Sequence, residues 1–221
     1  MTPDRYEAQR RALIDQLRDR GVDDLDTLAA FDAIPRHEFL PEAVRHRAYE
    51  DAAVPIGFGQ TASQPSLQAY SMQLLELTPD DKVLEVGTGS GHQTAVLSRL
   101  ADRVYSIERV RELSIRAREA LDRWRITNVA LLVGDGTIGW QRYAPYDAIL
   151  VAAAAPEPPK ALLDQLAEGG RLLIPVGSRE MQQLVLYRRR GEEIETVRTV
   201  ECTFVPLLGR QAWPDPDRPD G

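Results

Sequence analysis

Val83-Leu84-Glu85-Val86-Gly87-Thr88-Gly89-Ser90-Gly91 is an apolar run, carrying one acid, that breaks into three glycines at alternate positions. The run reads as a strand ending in a ligand-binding turn, because glycine permits positive φ and close backbone approach. Residues 92–101 follow with Ala95, Val96 and Leu100 at helical spacing, so the turn opens a helix. The bare amides of a helix N-terminus then face whatever the turn holds. A dinucleotide fingerprint would place glycines at offsets of zero, two and five. His92 occupies the third of those positions, and the glycines stand at 87, 89 and 91. The bland alternative is a glycine-rich turn that only packs helix on strand.

The acid-x-G-x-G-x-G pattern that begins at Glu85 resembles the motif of methyltransferases that use S-adenosylmethionine. A second apolar strand, Val104-Tyr105-Ser106-Ile107, ends in Glu108, twenty-one residues after Gly87. Rossmann-like folds place a carboxylate for ribose hydroxyls at that distance. The spacing suits either cofactor, so it supports the fold more than the chemistry.

Outward from this centre, strand and helix patterns alternate through residues 104–107, 111–123, 129–133, 148–152, 159–166 and 172–175. Alternation of this kind predicts an α/β fold, a Rossmann-like doubly wound and mostly parallel sheet with helices on both faces. Residues 183–187 and 193–205 read as long strands and predict an antiparallel edge. Before the glycine turn, residues 6–20 and 25–34 read as helices, with Gly21 and Pro35 as their stops. The stretch to Pro65 is irregular, rich in proline and glycine, and residues 66–77 form a further helix. A long unpatterned connection inside a compact protein is usually functional. The expected organisation is a single domain, 1–221, with a helical extension over 1–50 and an active-site loop over 51–65. A Rossmann-like core over 66–209 and a disordered tail, rich in Pro and Asp, over 210–221 complete it.

With 221 residues, 43% of them hydrophobic, the chain can bury a real core. A formal charge of −7 argues against non-specific nucleic-acid binding, which needs a basic face. Neither a signal peptide nor a membrane-length apolar run is visible. The single cysteine, Cys202, fits a reducing cytoplasm, the expected location, and reads as a small buried hydrophobe. His37, His46 and His92 carry no metal-ligand spacing, so no metal is expected.

The long connection contains Pro55-Ile56-Gly57-Phe58-Gly59-Gln60-Thr61-Ala62-Ser63-Gln64-Pro65. Here the chain strongly resembles the protein-L-isoaspartate O-methyltransferases, whose corresponding segment reads P-I-G-x-G-Q-T-I-S-x-P. Pro35-Arg36-His37-Glu38-Phe39-Leu40-Pro41, Gln93 after the glycine turn, Val133-Gly134-Asp135-Gly136-Thr137, Ala153-Ala154-Ala155-Pro156 and Phe204-Val205-Pro206-Leu207 agree in order. The resemblance runs from about Tyr6 to Gly209. It implies methylation of the free α-carboxylate of L-isoaspartyl residues in damaged proteins and peptides, with S-adenosylmethionine as cofactor and S-adenosylhomocysteine as product. The ester then closes to a succinimide, whose hydrolysis partly restores aspartate. A monomer is the family expectation, with no membrane partner.

The resemblance maps the active-site serine onto Ser63, whose hydroxyl can position the carboxylate without abstracting a proton. An ST-turn in a loop rich in Gly and Pro is the structural alternative. Cofactor contacts map onto Gln60, Thr61, Ala62 and Gln68. From the glycine turn come Gly87, Thr88, Gly89, Ser90 and Gly91, then Glu108 and Arg109 for the ribose, and Asp135 with Gly136 for the adenine. Glu85 either holds the turn or approaches the cofactor, and Asp135 has a rival role as a turn residue, since Asp-Gly favours turns. Three positions depart from the commonest pattern: Ala62, His92 and Ala152. They leave room for a dedicated peptide substrate; a cofactor sensor without catalysis and a nicotinamide-dependent oxidoreductase are the more distant alternatives.

Overall fold

The computed structural model describes residues 6–214. Two helices lead in, α1 (Glu7–Asp19) and α2 (Leu25–Ala33). Leu13, Ile14 and Leu17 put the buried stripe of α1 on one face. Asp24 caps α2 by accepting the Thr27 amide at 3.1 Å, which satisfies one of the orphan donors of a first turn. Two short 3-10 turns, Arg36–Phe39 and Glu42–Arg47, carry the chain to β1 (Val54–Gly57) and β2 (Gln60–Ala62). These two strands pair antiparallel. The stretch read as irregular therefore contains a hairpin, hidden because Pro55, Gly57 and Gly59 interrupt the alternation of side chains.

The core runs α3 (Pro65–Leu75), β3 (Lys82–Val86), α4 (His92–Leu100), β4 (Arg103–Glu108), α5 (Arg111–Arg123), β5 (Val129–Val133), β6 (Tyr146–Val151), α6 (Lys160–Asp164) and β7 (Leu166–Gly177). Last come β8 (Gln182–Arg190) and β9 (Glu193–Cys202). One seven-stranded sheet results, in the order β5-β4-β3-β6-β7-β8-β9. Pairing is parallel from β5 to β7 and antiparallel at the β7-β8-β9 edge. Both the parallel centre and the antiparallel edge match the sequence expectation.

Alternate residues of each central strand divide between two cores. Val83, Val104, Ala148, Leu150 and Leu173 face a large cluster with buried residues from α1 to α5. Leu84, Val86, Ile107, Ile149, Val151, Leu172 and Ile174 face a smaller cluster closed by Leu162 of α6 and by Trp140, Tyr143 and Tyr146. Strands buried on both faces need continuous apolar runs, which is why Val83 to Val86 shows no polar alternation apart from Glu85. Helices cover both faces unequally: on the thinner side, packed rings take the place of a second helix, Tyr105 stacking on Tyr143 at 4.3 Å.

The reading of 210–221 as an unpacked tail is corrected for its first residues. The Arg210 amide donates to Asp135 at 2.9 Å, the Gln211 amide to Thr137 at 3.1 Å and the Trp213 amide to the Leu207 carbonyl at 3.0 Å. Pro and Asp richness marked the segment as unable to form a core, but main-chain amides need only acceptors. Residues 215–221 of the expected tail lie outside the described residues.

Candidate active site

The chain leaves β3 toward β4 on one side and returns through β6 on the other, so the sheet has its switch point between β3 and β6. Ligands of open α/β sheets sit at the carboxyl ends of the strands at such a point. A cavity opens there, holding about 740 Å³ of space, open solvent at its mouth included. Gly87, Thr88, Gly89 and Ser90 from the turn after β3 form one wall, and Glu108 and Arg109 at the end of β4 another. Gly136, together with Gln60, Thr61 and Ala62 of the hairpin strand β2, Ser63 just after it and Gln68 of α3, completes the lining. Twelve of the fifteen residues named from sequence thus meet in one place.

Glu108 is the charged group of this wall. It is 5% exposed, and its Oε2 accepts the Gly89 amide at 2.8 Å while Oε1 accepts the Val110 amide at 2.9 Å. Burial pushes its pKa up, and the hydrogen bonds from Val110, Gly89 and Arg109 hold it back. Each carboxylate oxygen keeps a further lone pair, so a diol donor can be received as well. A glycine turn that brings backbone close to the cavity, a buried carboxylate and an apolar lining from Val86, Ile107, Ala152 and Leu207 suit a ribose-bearing cofactor.

Three sequence-named residues do not line the cavity. Glu85 is fully buried beneath the turn, where Gln93 Nε2, Thr94 Oγ1 and Ser106 Oγ donate to its carboxylate at 3.1, 2.5 and 2.6 Å. Held by three donors and fully buried, it ties the turn to α4 and β4 and does not line the cavity. Its pKa is pushed up to about 7, chiefly by burial, against the pull of those same hydrogen bonds. Gly91 is the N-cap of α4 at φ 83°, and a Cβ there would fall 3.0 Å from the Ala117 Cβ. It is a glycine because α5 passes so close. Asp135 commits its carboxylate to the Thr137 amide and hydroxyl, at 2.8 and 2.6 Å, and to the Arg210 amide. Asp135 is therefore a turn residue, and it also clasps the 205–213 strap whose Val205 to Leu208 line the cavity. Asp135→Ala is expected to cost about 1–3 kcal/mol, because it leaves those donors unpaired; an unchanged urea midpoint would refute the clasp.

Other site residues lay in segments quoted from the sequence without being named for the site. Val86, Ile107, Ala153 and the 205–208 strap are apolar wall, indistinguishable from core in a linear chain. Gln93, quoted with the glycine turn, joins Glu85 to the wall by accepting from Gln68 Nε2 at 3.1 Å. His92 is buried between Phe31 and Phe39, both edge-on at 5.8 Å, and neither ring nitrogen makes a hydrogen bond of normal geometry. Burial and the Arg36 charge lower its pKa well below the usual range, with the Ile34 backbone opposing in part. It is a neutral packing residue. Among the described residues, no three His, Cys, Asp or Glu side chains gather as a metal site.

A second, wider cleft adjoins the cavity. Thr61, Ser63, Ala152 and Val205 line both. Beyond them the cleft is bounded by Arg20, Gln64, Leu67, Tyr70 and the end of β9 from Val200 through Phe204. Cys202 stands there half-buried, packed against the large core on one side and lining the cleft on the other, with its thiol pushed up to about 11 by burial. Such a thiol stays protonated near neutrality and is no nucleophile.

Comparison with known proteins agrees with this geometry. The family model described as protein-L-isoaspartate(D-aspartate) O-methyltransferase matches residues 8–212. A protein-L-isoaspartate O-methyltransferase 1 of Pelobacter propionicus is 49% identical over 210 residues, covering 93% of this chain and 98% of its own. One from Methanoculleus marisnigri is 47% identical over 214 residues, 96% of this chain and 97% of its own. A solved protein-L-isoaspartate O-methyltransferase superposes with a TM-score of 0.85 at 32% identity, over 92% of this chain and 67% of that one. A solved putative protein-L-isoaspartate O-methyltransferase from Plasmodium falciparum, in complex with S-adenosyl-L-homocysteine, gives 0.80 at 28% identity over 90% and 98%. With the family model matched over nearly its whole length and relatives this similar, the chain belongs to the protein-L-isoaspartate(D-aspartate) O-methyltransferase family.

Proposed function

We propose that this protein transfers the methyl group of S-adenosylmethionine to the free α-carboxylate of L-isoaspartyl residues in damaged proteins and peptides. The observation that carries this is the placement of Ser63 on the wall shared by the cavity at the glycine turn and the wider cleft that adjoins it. The cofactor supplies the electrophile, a methyl group activated by the positive sulfonium that bears it. The acceptor, with a reference pKa near ~3.5, is already ionised at neutral pH and needs no general base. What the protein must do is hold both partners in line and exclude water. That fits a site with a hydroxyl, amides and a carboxylate but no Ser-His-Asp constellation.

In this reading the Gly87–Ser90 turn and Gln60, Thr61, Ala62 and Gln68 hold the amino-acid half of the cofactor. Glu108, beside Arg109, takes the ribose hydroxyls, and the adenine lies toward Gly136. Ser63 orients the acceptor carboxylate at the cavity mouth. The following backbone amide nitrogen attacks the ester so formed and expels methanol, closing a succinimide, and hydrolysis of that ring returns part of the chain to normal aspartate, which makes the activity a repair. A monomer acting in the cytoplasm on protein and peptide substrates, without nucleic acid, completes the reading. The charge of −7 supports the last point, and no described helix is long and apolar enough to cross a membrane.

The test is base-labile methyl transfer from labelled S-adenosylmethionine to a matched pair of peptides, one with L-isoaspartate and one with L-aspartate. Label in the isoaspartyl peptide alone is the expected result. Label in neither, with S-adenosylhomocysteine still bound, would replace general repair by a dedicated substrate. Ser63→Ala is expected to lower kcat about tenfold, the loss of one hydrogen bond to a charged group, while leaving cofactor affinity nearly unchanged. Equal losses in turnover and in calorimetric affinity would refute that division.

A further inference from the structure

Arg36 sits at the start of the 3-10 turn after α2 and is 1% exposed, among the largest fully buried side chains of the protein. A buried guanidinium normally meets a carboxylate. Here the acceptors recorded for it are neutral: Gln68 Oε1 at 2.9 Å, the Ala62 carbonyl at 3.3 Å and the Ser63 carbonyl at 2.7 Å. Its Nε has no partner at all. Desolvation lowers its pKa to about 10, with Tyr49 and Asp51 opposing, so the charge survives at neutral pH.

What the charge touches is informative. One arm of the fork holds the two carbonyls that bracket the Ser63 backbone, the segment dividing the cofactor cavity from the cleft. The other arm holds Gln68, which donates to Gln93, which donates to Glu85 beneath the glycine turn. A planar fork with fixed donor directions sets both distances at once, which a flexible ammonium does not. The hairpin strand that leads into Ser63 is only three residues long, and its pairing partner is β1 rather than the main sheet. Its place over the cavity therefore depends on side-chain bonds of this kind.

We propose that Arg36 is a positioning residue for methyl transfer, fixing the Ser63 backbone in register with the glycine turn through the Gln68–Gln93–Glu85 chain. The inference rests on the methyl-transfer reading for its kinetic part but not for its structural part. Arg36 touches neither reacting atom; it acts through Ser63. Arg36→Met keeps the length and apolar stem and removes the fork, while Arg36→Lys keeps the charge and loses the two-armed geometry.

Two readouts are needed, with turnover normalised to S-adenosylhomocysteine-binding sites so that misfolded protein does not count. In Arg36→Met, kcat on an isoaspartyl peptide is expected to fall about tenfold, and amide hydrogen exchange across residues 60–66 to rise about tenfold. Cofactor affinity should fall by a smaller factor than kcat, since Ala62 and Gln68 are tied to Arg36 but Glu108 and Arg109 are not. Arg36→Lys should recover part of the turnover. Combined with Ser63→Ala, the Met variant should add little further loss, because both act on one group. Unchanged exchange across 60–66, or losses that multiply in the double variant, would overturn the proposal. If Arg36→Met does not fold, Arg36→Lys carries both readouts, and wild-type exchange with wild-type kcat there would overturn it too. A wild-type protein that methylates no isoaspartyl peptide would refute the reading of the reaction, and exchange alone would then judge Arg36.

Discussion

Replacing Glu108 with alanine is expected to raise the dissociation constant for S-adenosylhomocysteine about 100-fold, close to 3 kcal/mol. Hydrogen bonds from neutral donors to an ionised acceptor contribute about 1.5–3 kcal/mol each. Under the proposed assignment, two ribose hydroxyls on one carboxylate would account for the loss without any change elsewhere. Glu108 also fixes the Gly89 amide at 2.8 Å, so its removal loosens the turn that faces the other half of the cofactor. Glu108→Gln should be nearly as damaging: its amide group would turn a donor toward either the Gly89 or the Val110 amide, each of which now donates to the carboxylate. Because burial raises the pKa of Glu108, affinity should also weaken at a higher pH than an ordinary glutamate would produce, as protonation removes the acceptor. Isothermal titration decides the matter. A change of less than about threefold for the alanine variant would show that the ribose is held elsewhere.

Glu108 was legible in the sequence because its place follows from spacing: a strand end at a fixed distance from the first glycine. The central strands were legible for the same kind of reason, since burial on both faces imposes an unbroken apolar run that Val83, Leu84 and Val86 display. The hairpin was not. Gly57, Phe58 and Gly59 all have positive φ, at 95°, 54° and 68°, and a tip of three such residues looks like disorder in one dimension. Phe58 tolerates it with the Arg116 guanidinium over its ring, 5.3 Å from the centroid. Arg36 stood out only as part of a matching segment, because nothing local in Pro35-Arg36-His37 says that the side chain turns inward to partners at 62, 63 and 68. Glu85 and Asp135 show the converse limit: an acid in a motif announces that it matters, but only the fold shows that its lone pairs are already taken by Thr94 and Ser106, or by Thr137 and Arg210.

Glu85 also governs the pH dependence of stability, and the Glu85→Gln variant should reveal it. The carboxyl titrates near 4.5 when exposed and near 7 in the folded protein. Between those values the native state keeps a proton that the unfolded chain releases, so this group makes stability fall as pH rises, by about 3 kcal/mol across the window. His92 has the opposite sign. Its folded pKa lies well below 6.5, so below pH 6.5 the unfolded chain takes a proton that the native state refuses, and stability rises with pH. In the wild type the two slopes oppose each other between 4.5 and 6.5. Glutamine preserves the shape of residue 85, and the hydroxyls of Thr94 and Ser106 can reverse to accept from its amide. The difference in unfolding free energy between variant and wild type cancels every other titrating group, and it should move by about 3 kcal/mol in the variant's favour from pH 5 to pH 9. Below pH 6.5 the variant should show the rising His92 slope against the falling slope that Glu108, its pKa also raised by burial, still contributes, and adding His92→Phe should remove the rise. Denaturant midpoints at five pH values would measure both. A difference that stays constant across the range would mean that Gln93, Thr94 and Ser106 hold Glu85 ionised as readily as water does, and the buried acid would then be a charged brace rather than a neutral one.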